Sequence, residues 1–227
     1  MRTVIIGAGP GISASLARQV RARGGQVLLA ARDEQRLEAL AADCGAHAFA
    51  CDAADPREVA ALFEQADRTL GGVDLMLYNP SRRVPGAITD LDPVAVRQAI
   101  DITAYGAFLA AQQATRRMLA QGGGALLFTG ATAGVKGFAR SAAFAMGKFA
   151  LRGLAQSLAR ELHPQRVHVV HLVVDGSVYD SAEQAVAGAD DARLDPDAVA
   201  SAFLAQVDAP PSAWSWEIEL RPYTEKF

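Results

Sequence analysis

Cysteine is nearly absent. Cys44 and Cys51 are the only two in 227 residues, which excludes a disulfide framework, and their spacing matches no metal motif. Both read as small buried residues. Histidine is also sparse: His168 and His171 lie an odd number of positions apart in an apolar run, so on a strand they face opposite sides and cannot chelate one ion. His47 and His163 have no partner in sequence, and no metal is expected. An excess of positive charge is missing too. The formal net charge of −3 gives no footprint for nucleic acid or an anionic membrane. No apolar run approaches the length of a membrane span, and no charged-then-apolar leader precedes the first strand, so a soluble, cytoplasmic protein is expected. Repeats, low-complexity tracts and linkers are lacking. With 51% hydrophobic residues, the chain reads as one domain, residues 1–227, with one sizeable core.

What is present begins at the first residues. Val4 to Ile6 is a short apolar run that stops at Gly7-Ala8-Gly9-Pro10-Gly11, and Ile12, Leu16 and Val20 then form one helical stripe. In a parallel sheet this strand–turn–helix order aims backbone N–H groups and a helix N-terminus at one point, a site for a pyrophosphate. Gly7 permits the tight turn, and Gly11 removes the Cβ that would block close approach of phosphates. Glycine-rich turns also serve as plain structural turns, and Ser13 stands where a third glycine is usual.

The alternation continues. Strands are expected at Gln26–Ala31, Ala46–Cys51, Val73–Tyr78, Ala125–Phe128, Val167–Val174 and Trp216–Leu220. Helices are expected at Asp33–Cys44, from Asp55-Pro56 with Glu58 completing a capping box, from Asp92-Pro93 to Gln121, over Ser141–Leu162 and from Asp195-Pro196 to Val207. Ile102 to Ala111 is apolar nearly all round, which places it deep in the core or in a subunit interface. The stretch 176–193 is polar and alanine-rich and reads as a mobile flap. At the end of the second strand, Ala31 stands where an acid would accept the ribose hydroxyls of NAD, and Arg32 follows it. A basic residue there suits the 2′-phosphate of NADP, which is favoured over NAD; a solvated helix start is the plainer role for Arg32.

Strand–helix alternation from end to end gives an α/β fold, an open parallel sheet of about seven strands with helices on both faces. With its motifs placed on that sheet, the whole chain resembles the short-chain dehydrogenase/reductase family. Gly7-xxx-Gly11-x-Ser13 stands at that family's Gly-xxx-Gly-x-Gly turn, with Gly9 and Ile12 inside it. Asp52 matches an adenine-contacting aspartate, Tyr78-Asn79-Pro80-Ser81 an Asn-Asn-Ala-Gly segment, and Asp175-Gly176 a Pro-Gly segment. The resemblance implies a Rossmann-type, three-layer fold. It also implies a dimer or tetramer paired through the helices 92–121 and 141–162.

The same resemblance implies a catalytic set that this chain does not carry. The family reduces carbonyls with a Tyr-xxx-Lys pair, a serine thirteen positions before the tyrosine, and an asparagine in the preceding long helix. Here Phe144 stands at the tyrosine, Ala131 at the serine and Thr103 at the asparagine, while Lys148 remains. Phenylalanine has no titratable proton. Lys148 retains a second use implied by the resemblance, a contact to the nicotinamide ribose hydroxyls; a solvated helix residue is the alternative. Tyr179, Tyr105, Ser177, Thr129 and Thr132 border the expected pocket, and Tyr179 is the substitute acid to test first. Asp175 lies near the expected nicotinamide position, or caps a turn. Arg82, Arg83, Lys136 and Arg140 fall in loops at the ligand edge and suit an anionic small-molecule substrate, or are scattered solvated charges. The leading expectation is an NADP(H)-binding oxidoreductase with a non-standard site. A dinucleotide-sensing protein without turnover, and an isomerase or lyase using Lys148 or Asp175, are its rivals.

Overall fold

The computed structural model describes residues 1–185 and 192–225. Strands β1 (Arg2–Ile6), β2 (Gln26–Ala31), β3 (His47–Ala50), β4 (Leu75–Tyr78), β5 (Gly124–Thr129) and β6 (Val167–Val174) are joined by β9 (Glu217–Leu220) in one parallel sheet, ordered β3-β2-β1-β4-β5-β6-β9. A short parallel ribbon, β7 (Ser177–Val178) with β8 (Arg193–Leu194), stands apart from it. The strand order reverses between β1 and β4, the switch point where open α/β sheets open a crevice at their carboxyl ends.

Both faces are covered. The face carrying Val4, Met76, Leu126 and Val169 packs on α3 (Pro56–Leu70), α5 (Gly106–Gln121) and α6 (Ala142–Leu162). The face carrying Ile5, Leu77, Leu127 and Val170 packs on α1 (Ile12–Ala22), α2 (Glu34–Cys44) and α7 (Pro196–Val207). Burial on both faces explains why the central strands read as unbroken apolar runs. Asp33, Asp55, Asp92 and Asp195 each cap a helix by accepting backbone N–H bonds, the latter three with proline in the first turn.

The expected single helix from Asp92 to Gln121 is corrected. It is α4 (Pro93–Ile100), a π-helical turn at Asp101–Tyr105, and α5. The cause lies in two neighbours. Tyr78 donates its hydroxyl to the carbonyl of Ile102, and Gly106 lies so close to the Tyr78 hydroxyl and the Ala53 carbonyl that a Cβ has no room. The helix is pulled onto β4 at that point, and the extra residue in its turn absorbs the offset. On the stretch 102–111, Ala107, Ala110 and Ala111 are buried while Tyr105 and Phe108 stack on each other at the surface, so core and exposed apolar face are both present. The third strand is shorter than expected and lies at the sheet edge, with mostly exposed side chains. Of the expected flap, 186–191 lie outside the described residues; the flanking parts form β7, a short 3₁₀ turn at Ala182–Gln184, and β8.

Candidate active site

At the carboxyl ends of β1, β4, β5 and β6 lies a cavity of about 650 Å³. Ile12, Asn79, Arg83, Ala131, Phe144 and Lys148 all reach its wall, from four segments of the chain: the start of α1, the loops after β4 and β5, and α6.

The glycine-rich turn is held by hydrogen bonds that the sequence only half announces. Gly7 has φ 78°, and a Cβ there would lie 2.7 Å from the backbone nitrogen of Pro80. Ser13, in the usual place of a third glycine, donates its hydroxyl to the Gly7 carbonyl at 3.1 Å. Asn79 donates its amide to that carbonyl at 3.3 Å and to the Ser13 hydroxyl at 3.1 Å. Turn, helix and β4 are thereby locked together. Gly9 accepts from the amide of Ala14 at 3.1 Å and has open space beyond it. Helix α1 starts at Ile12 with Gly11 as its cap, no side chain accepts its first N–H groups, and the amides of Ile12 and Ser13 have no backbone partner among the described residues. Unpaired donors at the positive end of a helix fit an anion such as a pyrophosphate. The space before Gly11 differs from expectation: the carbonyl oxygens of Tyr179 and Asp180 stand 3.3 and 3.4 Å from where its Cβ would be. A Cβ at Gly11 would therefore also press on the chain's own return loop.

Arg32 is exposed at the end of β2, and its side chain makes no hydrogen bond or ion pair among the described residues. The Asp52 carboxylate accepts one bond, from the amide of Ala54 at 3.0 Å. Gly176 has φ 149° and no room for a Cβ beside Pro222.

The other half of the cavity is built around Phe144. The Arg83 guanidinium lies 4.5 Å from the centre of its ring and the Lys148 ammonium 5.8 Å from it. Lys148 is 3% exposed, donates to the Thr129 carbonyl at 2.7 Å, and pairs with no carboxylate among the described residues. Burial, and then the positive charge of Arg83, push its amine down to about 7. Behind Gly130 lies His171, which is buried; burial holds it down at about 4 despite its 2.9 Å bond to Glu217, so it is neutral. Glu217 is in turn held by Arg152 at 2.6 and 2.7 Å.

Several expected residues fall elsewhere. Tyr179 does not line the cavity; its ring faces the Arg193 guanidinium at 5.5 Å, because β7 pairs with β8 and turns it away. Asp175 does not line it either: its carboxylate accepts the Thr132 hydroxyl and pairs with Arg221 at 3.0 Å, a structural tie between the β5 loop and the C-terminal segment. Tyr105 is on the outer surface. Thr103 is buried in the π turn against Gly147, its hydroxyl accepting from the amide of Arg82 at 3.4 Å. The hydroxyl of Thr129 is buried without a partner among the described residues. Of the four loop cations only Arg83 reaches the cavity; Arg82 bonds Gln98 at 2.7 Å, and Lys136 lies 5.6 Å from the Phe138 ring. Arg83 and Phe144 as a stacked pair were not legible in sequence, since a loop of that composition has no periodicity to place it. No group of three or more His, Cys, Asp or Glu that could hold a metal occurs among the described residues.

A doubly wound α/β sheet with an anion-ready turn and a ligand cavity at its switch point defines the class. The family model for short chain dehydrogenase matches residues 2–186, and the chain belongs to that family. An uncharacterized oxidoreductase of Staphylococcus aureus (strain N315) is 28% identical over 222 residues, 96% of each chain. Carbonyl reductase family member 4 of Xenopus tropicalis is 26% identical over 176 residues, 77% of this chain and 74% of that one. Among solved structures, a short-chain dehydrogenase from Rhodopseudomonas palustris superposes with a TM-score of 0.85 at 33% identity, covering 97% of this chain and 98% of its own.

Proposed function

We propose that this chain is an NADP(H)-binding oxidoreductase of the short-chain type with a non-standard active site. The observation that carries the reading is the pair of unpaired amides at Ile12 and Ser13, opening beside the cavity that Asn79 and Lys148 line. Those amides would hold the pyrophosphate, Asp52 the adenine, Arg32 the 2′-phosphate and Lys148 the nicotinamide ribose. Bound there, the nucleotide supplies or accepts hydride. Support comes from a metagenomic short-chain oxidoreductase solved with NADP, which shares this fold with a TM-score of 0.83 at 24% identity. In the family's arrangement Phe144, Ala131 and Thr103 replace the acid, the polarising hydroxyl and the asparagine, so this chain's residues position substrate without protonating it through a phenol. A small substrate with an anionic group beside Arg83 fits the cavity's one loop cation.

Calorimetry tests this directly. NADPH is expected to bind more tightly than NADH, and Arg32→Ala to weaken NADPH roughly tenfold, the loss of one exposed charge-assisted contact, while leaving NADH unchanged. Absence of binding by either nucleotide at millimolar concentration sinks the reading. A second reading, dinucleotide binding without turnover, draws support from the lack of any phenol on the cavity wall among the described residues. Steady oxidation of NADPH with a carbonyl or enone, or steady reduction of NADP with an alcohol, removes it.

Assembly is part of the same proposal. Tyr105 and Phe108, 44% and 43% exposed, and Met146 and Phe149 on α6, 53% and 45% exposed, leave an apolar face on the long helices. We expect a homodimer or homotetramer through it, and a monomer at micromolar concentration in light scattering contradicts this.

A further inference from the structure

We propose that Lys148 is an amine nucleophile that condenses with small carbonyl compounds bearing a carboxylate, the carbonyl carbon going to Nζ and the carboxylate to Arg83. This reactivity needs no nucleotide and goes beyond the redox reading above. Three features of the geometry carry it. Lys148 lies in the wall of the cavity, almost fully desolvated, and its only bond among the described residues is to a neutral carbonyl, that of Thr129. A second cation, Arg83, shares the face-and-edge neighbourhood of Phe144 with it. Among the described residues no phenol or carboxylate lines the same wall to hold the amine in its charged form.

A buried lysine next to another cation is one of the standard ways in which an amine is activated toward carbonyls. The groups facing Lys148 agree from every side. Arg83 comes from the loop after β4; His171 on β6 is neutral and turned to Glu217, whose charge Arg152 offsets; Asp175 is spent on Arg221 and Thr132. With its amine at about 7, near half of Lys148 is neutral at pH 7, against about one part in several thousand for an ordinary lysine. In the step itself the neutral Nζ forms a bond to the carbonyl carbon, the carbon–oxygen bond breaks, and the oxygen leaves as water with the two amine hydrogens. Nothing is oxidised or reduced. The imine that results takes up a proton and is held against the face of Phe144.

The test uses the full chain with glyoxylate and sodium cyanoborohydride, which reduces an imine to a stable carboxymethyl amine, read by intact mass and peptide mapping. Lys136 and Lys226, the other two lysines in the sequence, serve as internal references. Lys148 is expected to be modified roughly 10–100-fold faster than Lys136 at pH 7, with a rate that levels off above about pH 8 instead of climbing toward pH 10. Arg83→Met, a change at an exposed loop residue, is expected to cost roughly tenfold or more with glyoxylate and clearly less with uncharged propionaldehyde, where only the effect of the guanidinium on the amine is lost. Labelling confined to Lys136, Lys226 and the N-terminus, or a Lys148 rate that rises through pH 10, overturns the proposal. Labelling of Lys148 in protein that calorimetry shows to bind no NADPH supports it while sinking the cofactor reading, so the two can fail separately.

Discussion

Restoring the phenol and the hydroxyl together, Phe144→Tyr with Ala131→Ser, is expected to raise NADPH-dependent reduction of small aldehydes and ketones by about 10²–10⁴-fold in kcat/KM. The lower figure corresponds to a single positioned general acid; an added donor at the reacting oxygen moves it upward, with neither effect strictly additive. Both positions lie on the cavity wall, and the Arg83 guanidinium, with the protonated fraction of Lys148, stands beside the ring to lower the new phenol's pKa. The change in volume is small at both sites, a hydroxyl on a ring and a hydroxyl on a methyl, and both residues line the cavity, so folding is expected to survive. Loss of nicotinamide absorbance against a carbonyl panel, compared between native chain and double variant, measures it. An unchanged rate with NADPH binding intact would mean that the cavity itself has diverged, Arg83 over the ring being the first feature to remove.

That experiment rests on features that were legible in the sequence to very different degrees. The sheet was readable because strands buried on both faces leave unbroken apolar runs, and because Asp-Pro starts mark helices without ambiguity. The turn at Gly7–Gly11 was readable for its φ and close-approach needs, and Gly7 meets Pro80 as such a glycine should. What Ser13 does there was not readable, because a hydroxyl that bonds a carbonyl six residues back leaves no periodic trace. The π turn was hidden for a similar reason. It arises from Tyr78 and Ala53, both distant in sequence, pressing on Gly106. Tyr179 and Asp175 misled for one shared cause: both are polar residues in the right loop, and only the partners Arg193, Arg221 and Thr132 reveal that they are already engaged. Spacing can place a residue near a site; it cannot say what else has claimed its side chain.

Removing the buried amine is expected to stabilise the fold below neutral pH. Lys148 has an ordinary value of 10.5 and is held down to about 7 in the folded chain by burial first and Arg83 second. Between those two values the unfolded chain binds more protons than the folded one, so stability rises with pH across that window. Below about pH 7 the ammonium is present in both states and the folded state bears the full desolvation cost, on the order of 4–5 kcal/mol for a gap of this size. Lys148→Met removes the charge at similar length. It also strands the Thr129 carbonyl, a loss of about 1–3 kcal/mol. The net gain at pH 6 is therefore about 1–4 kcal/mol, shrinking as pH climbs and reversing near pH 10, where only the lost hydrogen bond remains. Urea denaturation of both chains at pH 6, 8 and 10 reads the difference. Parallel curves at all three values would mean that Lys148 is charged and compensated in the fold, and would remove the basis both for its nucleophilic role and for this stability argument.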